Sequence, residues 1–189
     1  MRVEQLRRAG RVEVTWLPFE LHPEVPREGM PRERMFSPER MARSREHVEA
    51  MAREVGLVMR QRDRLINTRL ALAAAEFARE HGAFEPVHRA LFRGHWEGTA
   101  DLDRVDDLKR IVAEQGLDGI ALERALASGR YEVLIDRHRA QASSVGIDAI
   151  PAHVVGGRYL LVGAQPLSAF EQVLDRVTAG DGPTEEDAT

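Results

Sequence analysis

Cysteine is absent from this chain of 189 residues. Without a thiol, the polypeptide can form no disulfide, no thiolate metal site and no thiol nucleophile, and cysteine usage cannot indicate its redox compartment. Lysine is nearly absent too, since Lys109 is the only one, and no apolar run approaches the roughly 20 residues that span a bilayer. Thiol chemistry within the chain is therefore excluded, and no membrane segment is expected.

Neither sign of charge dominates the sequence. The chain has 27 basic and 31 acidic side chains, and they are interleaved rather than gathered into a basic patch of the kind that binds nucleic acid. A hydrophobic content of 43% is sufficient for one domain with a real core. The first residues contain no apolar run of signal-peptide length. We therefore expect a cytoplasmic protein with no nucleic-acid partner and no membrane partner.

The first part of the chain predicts a helix end followed by a strand. Charged residues and Gly10 close a helical turn that starts at Leu6. Val12, Val14 and Trp16 then alternate with polar residues, which is the two-residue period of a strand with one buried face. A proline-rich loop follows as far as residue 31.

The middle of the chain is predicted to be helical. Ser37 and Pro38 are typical of a helix start, Gly56 is its expected end, and Asn67 with Thr68 opens a second helix. The further predicted helices are Pro86 to Trp96, Val105 to Gln115, Ile120 to Ala127 and Tyr131 to Val145.

The periodicity changes after this helical block. Ala152 to Val155 and Arg158 to Val162 are predicted strands, joined by a Gly-Gly pair suited to a tight hairpin turn. Ser168 and Glu171 form the pattern of a capping box at the start of a last amphipathic helix. The acidic residues after it lack large apolar side chains, which is typical of a disordered tail.

The segment from Val145 to Pro166 resembles the proline loop, hairpin and last-helix start of thioredoxin-fold proteins of the DsbA family, particularly its FrnE-like branch. Residues 16–21, Trp-Leu-Pro-Phe-Glu-Leu, and residues 67–71, Asn-Thr-Arg-Leu-Ala, add to this resemblance. It implies an α/β, thioredoxin-like fold with an inserted α-helical domain and with the first core strand missing. The implied domains are a core of residues 1–31 and 146–178, a helical insertion of residues 32–145, and a disordered acidic tail of residues 179–189.

The same resemblance implies four substrate-binding residues: Ile150, Pro151, Asn67 and Gln165. A cis Pro151 would present the backbone of Ile150 to an extended substrate, which adds like a short strand. Each position also has a structural interpretation: a trans proline at a strand start for Pro151, a helix cap for Asn67, and a turn amide bonded to its own backbone for Gln165.

Three histidines are weaker candidates for chemistry. His88 and His95 are seven residues apart and could share a helical face, but no matching third ligand for a metal is visible in the sequence. His153 follows the proline loop and could carry a proton, although a single histidine on a strand is more often a packing residue. We therefore assign no metal site, no cofactor and no catalytic residue.

The resemblance implies protein thiol-disulfide exchange as the family activity, with the catalytic dithiol outside this chain. Since a thiolate must attack sulfur in that reaction, the polypeptide alone cannot perform it. The first alternative is a 2-hydroxychromene-2-carboxylate isomerase or kappa-type glutathione-dependent enzyme, and the second is a non-catalytic peptide-binding module. The implied partners are an extended peptide or a glutathione-like thiol, and a homodimer is left open.

The resemblance also generates a prediction about the gene. The coding sequence directly upstream of Met1 is expected to encode a strand and a Cys-x-x-Cys helix, because relatives carry both before the strand that corresponds to residues 12–17. Sequencing the upstream DNA in frame checks this. A stop codon adjacent to Met1 with no such pattern behind it would contradict the prediction.

Overall fold

The computed structural model describes residues 2–54 and 56–180 of the chain. The elements, in order, are α1 (Arg2–Arg8), β1 (Met30–Pro31), a 3₁₀ helix (Arg32–Arg34), α2 (Pro38–Glu54), β2 (Arg64–Leu65), α3 (Arg69–Glu80), α4 (Phe84–Glu97), α5 (Val105–Glu114), α6 (Gly119–Ala127), α7 (Glu132–Ser144), β3 (Ala152–Val155), β4 (Tyr159–Val162) and α8 (Leu167–Ala179). None of the helices in the described ranges combines the length and the apolar character needed to cross a membrane.

The chain divides into two compact units, with boundaries between Leu17 and Pro18 and between Arg139 and Ala140. The terminal unit contains both ends of the chain, and the helical unit contains residues 18–139. The domain ranges inferred from the sequence, a core of residues 1–31 and 146–178 with an insertion of residues 32–145, remain predictions. The predicted tail lies outside the described residues from residue 181 onward.

The helical unit is built on an alanine-rich helix. In α3 the residues Ala74 and Ala78 are fully buried, and small side chains of this kind let neighbouring helices approach closely. The core around α3 includes the fully buried side chains of Val87, Leu108, Val112, Leu122 and Ile135, from α4, α5, α6 and α7. In the same unit β1 and β2 pair antiparallel, with Met30 opposite Leu65 and Pro31 opposite Arg64.

The terminal unit is organised by an antiparallel hairpin. β3 and β4 pair Ala152 with Val162, His153 with Leu161, Val154 with Leu160 and Val155 with Tyr159. Because paired residues lie on the same face of a sheet and successive residues alternate, His153 and Tyr159 share one face, while Val154 and Val162 share the other. The first face meets α8, where the ring of Phe170 lies 4.9 Å from that of His153.

The hairpin turn uses its two glycines differently. Both Gly156 and Gly157 have positive φ angles, of 60° and 74°, a conformation that favours glycine. A Cβ at Gly156 would lie 2.8 Å from Cγ2 of Val177 on α8, whereas a Cβ at Gly157 would meet nothing within 4 Å. The turn can therefore pack closely against α8 because Gly156 has no side chain.

Most of the elements predicted from the sequence are confirmed. The helix end at Gly10, the start of α2 at Pro38 and the Gly-Gly hairpin are all present. Ser37 Oγ accepts a hydrogen bond from the Arg40 backbone N–H at 3.3 Å, so it acts as the expected cap of α2. These features depend on local chemistry, and local chemistry is what a sequence displays.

The predicted strand from Val12 to Leu17 is wrong, because these residues form no strand. The side chains do alternate, since Val12 and Val14 are half-buried and their neighbours are exposed. A strand also requires a hydrogen-bonded neighbour, and in the described part of the chain β3 and β4 pair with each other and leave this segment unpaired. The alternation therefore reflects two half-buried side chains, and it does not indicate hydrogen bonding to a neighbouring strand.

The predicted capping box at Ser168 is also wrong. Helix α8 begins one residue earlier, at Leu167, and Pro166 occupies the capping position without any side-chain hydrogen bond. The φ angle of Pro166 is −64° and its ψ angle is 158°, so its extended backbone leads directly into the helix. Ser168 therefore lies inside the first turn.

Two substitutions in α6 test the core. Replacing the fully buried Leu122 with alanine should lower the free energy of unfolding by about 2–5 kcal/mol, because it removes apolar contacts and leaves a cavity. Replacing Ile120, which is 55% exposed on the same helix, with alanine should change the free energy of unfolding by no more than about 0.5 kcal/mol. Urea unfolding followed by circular dichroism measures both, and equal effects would show that Leu122 is not a core residue.

Candidate functional site

The proline loop leads from α7 into the hairpin. Gly146 takes a positive φ angle of 77° after the helix, and the Ile147 N–H donates to the Ala142 carbonyl at 2.9 Å, which closes the helix end. The peptide bond between Ile150 and Pro151 is cis. Gly163 N–H donates to the Pro151 carbonyl at 2.7 Å, so the loop is tied to the residue that follows β4.

Ile150 is an exposed residue with an unpaired backbone at the start of the hairpin. The residue is 51% exposed. Within the described residues, neither its N–H nor its carbonyl makes a hydrogen bond to another backbone group. Backbone polar groups in folded proteins are nearly all paired, so an unpaired N–H and carbonyl are unusual. Both groups of Ile150 could form hydrogen bonds with an added extended chain.

Gln165 lies at the same end of the hairpin as Pro151. Its Nε2 donates to the Val162 carbonyl at 2.7 Å, and its backbone N–H donates to the Gly163 carbonyl at 2.9 Å. The side-chain amide nitrogen therefore closes the turn before α8, as the structural interpretation of this residue expected. A binding role for Gln165 would use its Oε1 oxygen.

His153 faces the interior of the terminal unit. Its ring packs edge-on against Phe170, and its buried Nδ1 has no hydrogen-bond partner among the described residues. Burial lowers the pKa of His153, with a backbone hydrogen bond at Leu161 acting in the opposite direction. The neutral ring is thus favoured, and its position fits packing rather than proton transfer at the Ile150 backbone.

Asn67 belongs to the helical unit, where both ends of its side chain are engaged. Its Oδ1 accepts a hydrogen bond from the Arg69 backbone N–H at 3.0 Å, and its Nδ2 donates to the Val25 carbonyl at 2.7 Å. The side chain is buried and joins the start of α3 to the preceding loop. These contacts are those of a cap and a tether, and a substrate-binding role for Asn67 stays a prediction.

Arg69 is the residue in this region that the sequence did not single out. Its guanidinium pairs with Glu20 at 2.9 Å, with Asp136 at 2.7 Å and with Glu132. Burial acts to lower the pKa of Arg69, but the hydrogen bonds to Asp136 and Glu132 outweigh it and raise the pKa above its ordinary value. The partners lie up to 67 residues away in sequence, so no local pattern announces them.

A small cavity of about 20 Å³ lies beside this cluster and is large enough for one water-sized molecule. Asn67, Arg69 and Glu132 contribute to its walls, together with Arg27 and Asp103. The carboxylates around it already pair with guanidinium groups, because Arg69 bonds Glu132 and Arg64 bonds Asp103. The polar groups here are largely used in holding the unit together.

The histidines of α4 pack against aromatic rings. His88 lies 5.0 Å from Phe84 and 4.9 Å from Phe92, between ring centroids, and His95 lies 5.0 Å from Trp96. Over residues 2–54 and 56–180, no group of three or more metal-ligating side chains is positioned to hold an ion. Burial lowers the pKa of both histidines.

Comparison with known proteins places this architecture in a family. The profile of the DSBA-like thioredoxin domain matches residues 1–175. The chain belongs to this family. Its structure superposes on the crystal structure of a probable DsbA oxidoreductase from Streptomyces coelicolor with a TM-score of 0.83 and 25% identity, covering 97% of this chain and 85% of that one. The thioredoxin-like fold predicted from the sequence is confirmed.

A second relative of this DsbA-family chain is known from sequence. The uncharacterized protein YwbO of Bacillus subtilis (strain 168) is 24% identical over 166 residues, which is 86% of this chain and 81% of YwbO. The chain described here contains no cysteine, so it carries no Cys-x-x-Cys pair. Family membership therefore establishes the fold without supplying the family's reactive sulfur.

Removing the guanidinium of Arg69 should destabilise the helical unit. Glu20 is only 3% exposed, so Arg69→Met leaves a buried carboxylate without its cation and should cost about 3–5 kcal/mol of unfolding free energy. Adding Glu20→Gln should restore part of the loss, because the remaining buried group is then neutral. Urea titration of the single and double variants measures both effects.

The control for this prediction is Arg89→Met. The pair of Arg89 with Glu85 is mostly exposed and 3.4 Å long, so its loss should cost between about 0 and 1 kcal/mol. If Arg69→Met costs no more than Arg89→Met, Arg69 does not hold a buried charge in place.

Proposed function

We propose that this DsbA-family domain binds an extended peptide through the backbone of Ile150 and does not itself catalyse thiol-disulfide exchange. The observation that carries the proposal is the unpaired backbone of Ile150, an exposed residue that lies just before β3. An extended ligand would gain main-chain hydrogen bonds there, in the manner of an added strand.

The outer face of the hairpin supports the same ligand class. Val154 is 55% exposed and Val162 is 36% exposed, and both lie on the face opposite Phe170. Together with the Ile150 side chain they offer apolar contacts to the alternate side chains of an added strand. Main-chain hydrogen bonds would supply affinity, and these contacts would favour peptides with apolar residues at alternating positions.

The chemistry of the family sets the limit of the function. Disulfide exchange requires a thiolate that attacks sulfur, and the chain has no cysteine. The reactive thiols must then belong to the substrate or to another polypeptide, and this domain contributes binding and orientation. We further propose that the chain belongs to the FrnE-like branch, on the motifs at residues 67–71 and 145–166, and that it acts in the cytoplasm.

A glutathione-dependent enzyme is the second candidate. Gln165 Nε2 is engaged by the Val162 carbonyl, but its Oε1 makes no hydrogen bond among the described residues and could accept one from the ligand amine. A glutamine carries no charge, so this contact would be weaker than that of an acidic residue. The peptide proposal therefore takes precedence.

Nuclear magnetic resonance with an isotopically labelled chain tests the proposal. A reduced, extended peptide with alternating apolar residues and one central cysteine should shift the Ile150 amide signal more than signals on α8. The same peptide with serine at the centre should bind with comparable affinity, because the protein offers no thiol to react. Glutathione should not displace either peptide.

Backbone variants locate the contact. Ile150→Pro removes the proposed N–H donor and should weaken peptide binding about 3- to 10-fold, the worth of one hydrogen bond. Ala149→Pro is the matched control, since it removes the neighbouring N–H and leaves that of Ile150 in place. Circular dichroism confirms that both variants fold, and the wild-type amide shift gives an answer independent of either one.

Three results would contradict the proposal. Binding that leaves the Ile150 amide unshifted would place the peptide elsewhere. Glutathione binding that competes with the peptide would favour the second candidate. Reduction of a protein disulfide by a small thiol, catalysed by the cysteine-free chain above the uncatalysed rate, would require a different chemistry altogether.

A further inference from the structure

Arg2, in α1, contacts the residues that hold the proline loop in place. Its Nη1 donates a hydrogen bond to the Ala164 carbonyl at 2.9 Å. The residue before Ala164 is Gly163, whose N–H donates to the Pro151 carbonyl at 2.7 Å. All four residues belong to the terminal unit, so these contacts lie within one compact part of the chain. The guanidinium is therefore tied, through two consecutive residues, to the residue that follows Ile150.

The same contacts limit the distance between this charge and the proposed binding backbone. Hydrogen bonds of 2.9 and 2.7 Å and one peptide link of fixed geometry separate Arg2 Nη1 from the Pro151 carbonyl oxygen. The two atoms can therefore be no more than about 14 Å apart. A strand rises about 3.3 Å per residue, so about four residues of an extended ligand cover this distance. A short peptide paired with Ile150 is long enough to reach the guanidinium with one of its side chains.

Arg2 forms no ion pair within the described residues, although its position is fixed by the hydrogen bond to a carbonyl. Glu4, on the same helix, pairs instead with Arg7 at 2.9 Å and with Arg8 at 3.0 Å. Asp148, in the proline loop, is exposed and makes no ion pair with Arg2. A guanidinium has five N–H donors in a planar fork, so one bond to a carbonyl leaves room for a carboxylate.

We infer that Arg2 gives the proposed peptide site a preference for ligands that carry a carboxylate. The inference rests on the proposed peptide function and adds the class of ligand. The ligand is an extended peptide with an acidic group within about four residues of the one that pairs with Ile150. A carboxylate presents two oxygens that match the guanidinium fork, and it comes either from an acidic side chain or from the C-terminus of the peptide.

Matched peptides test the preference on the full wild-type chain. Each has serine at its centre, apolar residues at alternating positions and blocked ends, with glutamate or glutamine at one position up to four residues from the centre. At one or more positions glutamate should bind about 5-fold more tightly than glutamine, a ratio at the upper end for a solvent-exposed ion pair. The ratio should fall in about 1 M sodium chloride, because salt screens exposed charges.

A second pair of peptides distinguishes the two sources of the carboxylate. Neither has an acidic side chain, and each ends within four residues of the centre, one with a free carboxylate and the other with an amide. A preference for glutamate alone assigns the contact to a side chain. A preference for the free C-terminus alone assigns it to the chain end, and both preferences together mean that the site accepts either source.

The test variant is Arg2→Gln, and its matched control is Arg158→Gln. Arg158 carries the same charge and is exposed in the turn, at the opposite end of the hairpin from Pro151. Arg2→Gln should abolish the preference for a carboxylate and leave the affinity for the glutamine peptide nearly unchanged, whereas Arg158→Gln should keep the preference. A merely structural Arg2 would instead weaken the binding of both peptides equally.

The outcomes separate this inference from the function on which it rests. If the peptides shift the Ile150 amide signal but carboxylate and neutral forms bind alike, the inference is overturned and the peptide function stands. If both variants lose the same share of the preference, the effect belongs to total charge and the inference is again overturned. If no peptide shifts the Ile150 amide, both proposals fail.

A measurement on the wild type decides the question if Arg2→Gln does not fold. The Nε–H signal of Arg2 should move when the preferred carboxylate peptide is added and stay in place with its neutral counterpart. The signal of Arg158 should not respond to either peptide. Equal responses of Arg2 to the two peptides would overturn the inference.

Discussion

The ion cluster of Arg69 is the constraint on which the helical unit depends. One guanidinium joins Glu20 in the loop before β1 to Glu132 and Asp136 at the start of α7, and it does so from the first residue of α3. Three carboxylates around one cation leave an excess of negative charge, which is tolerable because two of them are partly exposed to water. Only Glu20 depends fully on Arg69. The position of the loop before β1 therefore depends on the positive charge of Arg69 in α3.

Local signals in the sequence predicted most of the elements and little of what joins them. Glycine after a helix and proline at its first turn act within a few residues, so Gly10, Pro38 and the Gly156-Gly157 turn could all be interpreted correctly. The strand predicted at Val12 would have needed a pairing partner far away in sequence, and alternation alone carries no information about pairing. Arg69 and Glu132 are 63 residues apart, which no periodicity connects.

The candidate site shows the same division between local and distant information. The sequence located Ile150, Pro151 and Gln165, and the hairpin brings all three to one end of the terminal unit. It did not show that the amide nitrogen of Gln165 and both polar atoms of Asn67 are already bonded to backbone groups. Asparagine and glutamine at turns serve the backbone and ligands with the same atoms, so only coordinates reveal which use has been made of them. Ile150 differs because its free groups belong to the main chain.

The contact between Gly156 and Val177 limits how the hairpin can change over evolutionary time. At Gly157 the left-handed backbone still admits asparagine or aspartate, since a Cβ there meets no neighbour. At Gly156 any side chain would strike the Val177 methyl groups, so a change at one position must be accompanied by a smaller residue at the other. Homologous chains that keep this turn should thus vary freely at position 157 and covary at positions 156 and 177. The two adjacent glycines would then be subject to different constraints on substitution.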